Sequence, residues 1–332
     1  MTALTTPPVA KGGRLAKWSG MAKWPSIGID WRRDIVYIGF VVVFIAFAVL
    51  LRDEGFLTTG NLLNILRQAA IVAVIAVGMT FVIACAEIDL SVGSVAGLAS
   101  ITTAMVISRY GLTAGIAAGI AVGLVVGAIN GSLVAFVRIP SFLVTLAMLG
   151  VAVGIAQWVT ASAPQPILNQ TYTSMFGSGT VGFLPGLVIW STVAVVIGAV
   201  VLRKARFGRQ VLATGANRTA AEYSGIDTRA IKFRVMMISA TAAAVAGMLY
   251  AGRLQSGRFQ FGSGDEMNAI AAVILGGTAL AGGRGSVIGS LFGALLMQLI
   301  TNGLILAGLD PSQQQVVRGV IIVLAVALAR NK

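Results

Sequence analysis

Ten apolar runs, separated by short polar or glycine-rich stretches, order this chain. They cover roughly 35–51, 68–86, 90–108, 112–136, 141–160, 185–202, 235–252, 267–281, 286–308 and 315–329. Several fall short of the about 20 residues that cross a bilayer as a helix, so tilted, broken or re-entrant pieces are expected and the count lies between nine and eleven. The pattern predicts an all-α polytopic transmembrane bundle of about ten spans. In the fourth run Gly111, Gly115, Gly119, Gly123, Gly127 and Gly131 recur every four residues, which puts one bare stripe on a helix. Gly115, Gly119, Gly123 and Gly127 are expected to serve helix packing, because small-xxx-small faces let membrane helices approach closely.

Composition supports a membrane body. Of 332 residues 57% are hydrophobic and 11% charged, against roughly 25% charged in soluble domains, and the mean hydropathy is +0.91. The net charge of +13 is concentrated: fourteen of the 24 basic residues lie in 1–34 and 203–234. Both clusters flank apolar runs, as cytoplasmic segments do under the positive-inside rule, and this placement argues against nucleic-acid binding. The first 34 residues carry no apolar core of a secretory signal. The chain is therefore expected to divide into a basic cytoplasmic tail, 1–34, and a transmembrane body, 35–332. Six crossings return it to the cytoplasm at 203–234, and four more bring the C-terminus there too.

Few residues can carry chemistry. There is no histidine, and Cys85 is the single cysteine, which removes the usual general base and most zinc or haem sites. None of the six lysines follows a glycine, so no P-loop is present. No catalysis, bound metal or cofactor is expected of this chain. The run from Gly276 to Gly285 lacks the dinucleotide-binding spacing and reads as a tight reversal between two helices. Glu87, Asp89 and Ser91 sit between the second and third runs, and charge at membrane depth usually faces a polar cavity or a partner. Asp89 could instead cap the next helix; the role of Glu87 stays open. In 203–234, a short helix-prone stretch follows Asn217 and is closed by Gly225, a form that suits either docking to a cytosolic partner or a solvated basic loop.

The stretch Leu275-Gly276-Gly277-Thr278-Ala279-Leu280-Ala281-Gly282-Gly283-Arg284-Gly285-Ser286-Val287-Ile288-Gly289 resembles the signature of ribose-type ABC permeases. So do Ile139-Pro140-Ser141-Phe142-Leu143-Val144-Thr145-Leu146, Ile88-Asp89-Leu90-Ser91-Val92-Gly93-Ser94 and Phe207-Gly208-Arg209 with Gly215-Ala216-Asn217, in the same order along 58–328. The resemblance implies a non-catalytic membrane subunit of a sugar importer that works by alternating access in a bacterial inner membrane. It implies a second permease copy or paralogue, an external sugar-binding protein, and a cytosolic ATPase that holds ATP and Mg²⁺. It makes 215–226 a coupling helix, with Gly215, Asn217, Arg218, Ala221, Glu222 and Gly225 at the ATPase contact. Glu87, Asp89, Ser91 and Thr145 are the candidates for the translocation path. Many members carry Gly-Gly where this chain has Ala86-Glu87, which puts that local backbone shape in question. The competing expectation is an ion-coupled carrier using Glu87 or Asp89.

Overall fold

The computed structural model describes residues 31–330. The expected basic tail, 1–34, lies outside them except for 31–34, which open the first helix, α1 (Trp31–Leu50). Next come α2 (Thr59–Ala84) and α3 (Val92–Tyr110). At Gly111 a φ of 85° reverses the chain into α4 (Leu112–Ser132), which ends in a π turn, Leu133–Val137. Beyond α5 (Ser141–Thr160) the connection holds a single-turn α6 (Gln170–Thr173). Then α7 (Gly186–Lys204) leads to two short helices, α8 (Arg206–Ala216) and α9 (Arg218–Tyr223). The chain closes with α10 (Thr228–Leu254), α11 (Asp265–Leu275), α12 (Val287–Leu306) and α13 (Pro311–Arg330).

Glycine contacts show how the helices run. Gly123 lies against Ala240 and Ala244, and Gly131 against Phe233, so α4 is antiparallel to α10. Gly115 and Gly119 meet Ile107 and Thr103 of α3, and Gly127 meets Met237. A Cβ at Gly123 or Gly127 would come within 2.8 Å of α10 backbone atoms, so a side chain there would push the helices apart. The same reasoning runs α11 antiparallel to α12, through Gly276 against Gly289 and Gly293 against Ala272.

Two faces result. One, the basic face, holds the ends of α2 and α7, all of α8 and α9, the start of α10 and the 276–286 loop. The opposite face holds the 51–58, 161–185 and 307–310 connections. Between them α2, α3 and α10 form the centre, with α4, α5 and α7 outside. Some 83% of the apolar window of α2 is buried, against 22% of that of α5. An apolar helix so exposed is suited to lipid or to another subunit, not to water.

Each of the ten apolar runs holds a helix, but a count of about ten spans is not confirmed. Seven helices among the described residues are long and apolar enough to cross a bilayer: α2, α3, α4 with its π turn, α5, α7, α10 and α12. The run 267–281 is the clearest departure. Only Asp265–Leu275 is helical, and 11 residues reach ~16 Å at 1.5 Å each, about half of the ~30 Å hydrocarbon core. Gly277, Gly282 and Gly283 have φ values of 88°, 84° and 80°, so the glycine-rich run ends the helix and folds as the turn that the sequence suggests.

Candidate coupling face and interrupted helices

On the basic face, α8 packs on the bundle through Phe207, Val211 and Leu212, and its end is held by backbone. Gly215 lies against the Ala84 carbonyl at the end of α2, and its Cβ would come within 2.8 Å of the Gly283 amide. That amide donates to the same Ala84 carbonyl at 2.9 Å. One backbone junction thus joins α2, the end of α8 and the glycine turn before α12. Asn217 caps α9, its Oδ1 accepting from the Ala220 amide at 3.0 Å. Ala221 is buried, and Gly225, at φ 79° with open space around it, turns the chain.

Glu222 ties α9 to α10. Its Oε1 accepts from Thr228 Oγ1 at 2.6 Å and from Arg218 Nε at 2.9 Å. These two hydrogen bonds, the Thr228 hydroxyl first, hold the Glu222 carboxyl below the usual carboxylate range. Tyr223 is 89% exposed at the tip. The six residues expected at a coupling contact therefore form one exposed unit with a buried root.

Next to that root, α2 gives way to irregular chain. Ala86 takes a φ of 61°, a left-handed conformation that glycine adopts more easily, and residues 87–91 form no regular element before α3. The local shape in question at Ala86-Glu87 is thus made without glycine. Glu87 forms a salt bridge with Lys232 in α10, both side chains largely buried. Asp89 does not cap α3: its Oδ1 accepts from the Ser91 amide at 2.9 Å and the Ser91 hydroxyl at 2.6 Å, just before the helix. Ser141 Oγ accepts from the Ile88 amide at 3.1 Å, and Thr145 Oγ1 from the Leu90 amide at 3.0 Å. Asn130 donates to Ser91 Oγ at 3.1 Å. The structure gathers Glu87, Asp89 and Ser91 in one segment with Thr145 of α5 against it, and commits them to the segment and to Lys232, except for Asp89 Oδ2, which is buried without a partner among the described residues.

A second interruption mirrors the first. After α10, residues 255–264 turn back into the bundle along α3. Ser100 Oγ accepts from the Arg258 amide and donates to the Arg258 carbonyl, both at 3.1 Å. Gly97 lies against the Phe259 carbonyl and Gly93 against that of Gly262. From there α11 starts and runs to the basic face, while α3 runs to the opposite one. The N-termini of two helices therefore meet inside the body, with Asp89 before one and Asp265 and Glu266 opening the other. Acidic groups are favoured at such ends by the helix dipole, and helices broken at mid-depth are a recurring feature of transport proteins.

Residues 61–326 match the family model described as branched-chain amino acid transport system / permease component. The chain belongs to this permease family. The ribose import permease protein of Bacillus subtilis (strain 168) is 39% identical over 298 residues, 89% of this chain and 92% of that protein. That of Escherichia coli (strain K12) is 37% identical over 287 residues, 84% and 88% of the two chains. The galactofuranose transporter permease protein of the same strain is 36% identical over 265 residues, 79% and 77%. The resemblance to ribose-type permeases thus extends over most of the chain, and the permease is a multi-pass membrane protein.

Sequence reading missed the polar groups around α11 in this permease. Tyr250 donates to Asp265 Oδ2 at 2.6 Å, Asn268 to Oδ1 at 3.3 Å, and Arg253 to Asn64 Oδ1 at 2.7 Å. Their signal was present as isolated polar residues inside or beside apolar runs. What joins them is the second interruption, which sequence does not display.

Proposed function

We propose that this chain is the permease subunit of an ATP-driven, binding-protein-dependent importer of a monosaccharide or related polyol. The observation that carries the reading is the likeness, over most of the chain, to proteins named as ribose import and galactofuranose transporter permeases. The family description names amino-acid transport instead, but the full-length relatives are the more specific guide to solute class.

In this reading the basic face is cytoplasmic, in agreement with the positive-inside rule. The unit at 215–225 meets a cytosolic ATPase, which holds ATP and Mg²⁺. A sugar-binding protein docks on the opposite face, where Leu168 and Phe183 are 89% and 86% exposed. Two permease chains, identical or paralogous, complete the path. The proposed coupling helix touches what must move. Glu222 links it to α10, and the Gly215–Gly283 junction links it to α2 and to the turn after α11. A conformational change needs differential contact with the two ATPase states, and this root would carry that difference to both interrupted segments. An ion-coupled carrier is the weaker reading, because Glu87 is already paired with Lys232.

The test is uptake of radiolabelled monosaccharides into proteoliposomes holding the permease, its ATPase and its binding protein, with ion gradients collapsed. ATP-dependent uptake is expected. Uptake by the permease alone, driven by a proton or sodium gradient, would overturn the proposal. Gly225→Pro, which forbids the positive φ, and Glu222→Arg should each abolish ATPase association while the chain still inserts; unchanged association would remove 215–225 from that role.

A further inference from the structure

Beside the second interruption, in the half of the body toward the opposite face, lies a cavity of about 180 Å³ whose lining side chains are all polar. It is bounded by α2, α10, α11, α12 and α13, so five helices each turn a hydrophilic side chain inward. In a body otherwise packed with alanine, valine and isoleucine that convergence is costly. Polar groups at membrane depth are usually kept for a function.

Asp265, Asn268 and Gln298 are each more than nine-tenths buried. Asp265 is held by Tyr250 and Asn268. Gln298, midway along α12, faces the cavity and makes no hydrogen bond among the described residues. Its amide atoms are not among the sealed, unpartnered polar atoms, so they are open to the cavity, where a molecule that both donates and accepts can be held.

The chemistry narrows what that is. The guanidinium groups of Arg253 and Arg318 outweigh the one carboxylate of Asp265 and would repel a cation, while Asp265, already held by Tyr250 and Asn268, weakens any pull on an anion. Amides and hydroxyls that both donate and accept, together with one carboxylate and two donor forks, match a ligand whose groups also do both. That is a neutral polyhydroxylated molecule. The volume holds about six waters at ~30 Å³ each, enough for one small sugar ring and below the ~300 Å³ of a drug-sized pocket. We infer that this cavity is a subsite of the permease for the hydroxyl groups of the sugar, with Gln298 a direct contact. The inference rests on the proposed importer function.

The test uses the assembled importer and the single native thiol. Cys85 is 1% exposed; replacing it by alanine and introducing Thr301→Cys puts one reporter thiol in the cavity wall. Its modification by methyl methanethiosulfonate is timed with and without a monosaccharide that the wild-type importer carries. At a sugar concentration twice the dissociation constant the rate should fall about threefold by mass action. Adding Gln298→Leu should abolish that protection. A thiol that does not react at all, a rate indifferent to sugar, or protection that survives Gln298→Leu would overturn the subsite, a cavity filled by water being the simplest remaining account. Wild-type uptake without protection defeats the subsite alone. Absence of ATP-dependent uptake of any monosaccharide defeats the importer reading and the subsite with it.

Discussion

Between α2 and α3 the irregular backbone is answered by side chains of neighbouring helices, whereas between α10 and α11 it lies against bare glycine. In the first case Ser141, Thr145 and Asn130 reach in, and Lys232 neutralises Glu87. In the second, Gly93 and Gly97 let the 259–262 carbonyls approach α3 itself, and the polar side chains of α11 are left to face a cavity. Unpaired backbone is intolerable in lipid, and both interruptions obey that rule. One seals its spare capacity inside, with Asp89 Oδ2 and Asn130 Oδ1 buried and unpartnered among the described residues. The other satisfies its backbone and turns its spare side-chain capacity toward a cavity.

The comparison can be broken most forcefully at the glycine side. Gly262→Val meets a φ of 82° and a Cβ 2.6 Å from the Gly93 carbonyl. It should cost ~3 kcal/mol or more, seen as loss of monodisperse protein in detergent. On the side-chain side, Lys232→Met leaves a largely buried carboxylate alone. Full burial would cost about 3–5 kcal/mol; the residual exposure of both partners lowers the expectation to ~2 kcal/mol. Adding Glu87→Gln should restore most of it, and additive effects in this double-mutant cycle would show the pair to be uncoupled.

Most of the helices were legible because apolar runs report burial in lipid directly. The Gly276–Gly285 reversal was legible because glycine there has a conformational reason. The half-length of α11 was not, since 267–281 is apolar throughout and composition says nothing of where a helix stops. Nor was the partner of Glu87, because Lys232 lies 145 residues on in a loop-flanking helix and nothing local announces the pairing. The residues expected at a coupling contact were suggested only by resemblance. The α11 cavity draws on residues from Gln68 to Arg318 and has no local signature at all.

Smaller effects sharpen the contrast. Thr145→Val removes the acceptor of the Leu90 amide and should cost about 1–2 kcal/mol in denaturant unfolding; no loss would mean that the amide finds another acceptor. Glu222→Gln should act least and only locally. Because the folded carboxyl sits below its usual range, its link to Thr228 and Arg218 is complete above the ordinary carboxylate pKa of ~4.3 and disappears as pH falls through the folded value. Hydrogen exchange of the 218–228 segment should therefore separate wild type from Glu222→Gln at neutral pH, with the two converging in strong acid. Equal exchange at neutral pH would dismiss the link.

The junction of Gly215, Gly283 and Ala84 has a mechanical side. A contact made between side chains can yield by changing rotamer, like a spring between two plates. Here main chain bears on main chain, as it does where Gly276 meets Gly289 and Gly293 meets Ala272. Such bearings have no compliance of their own. A displacement of α8 by a fraction of an ångström would reach α2 and the turn after α11 almost undiminished, so in the proposed importer the stroke inside the bilayer is set by how far the basic face is pushed.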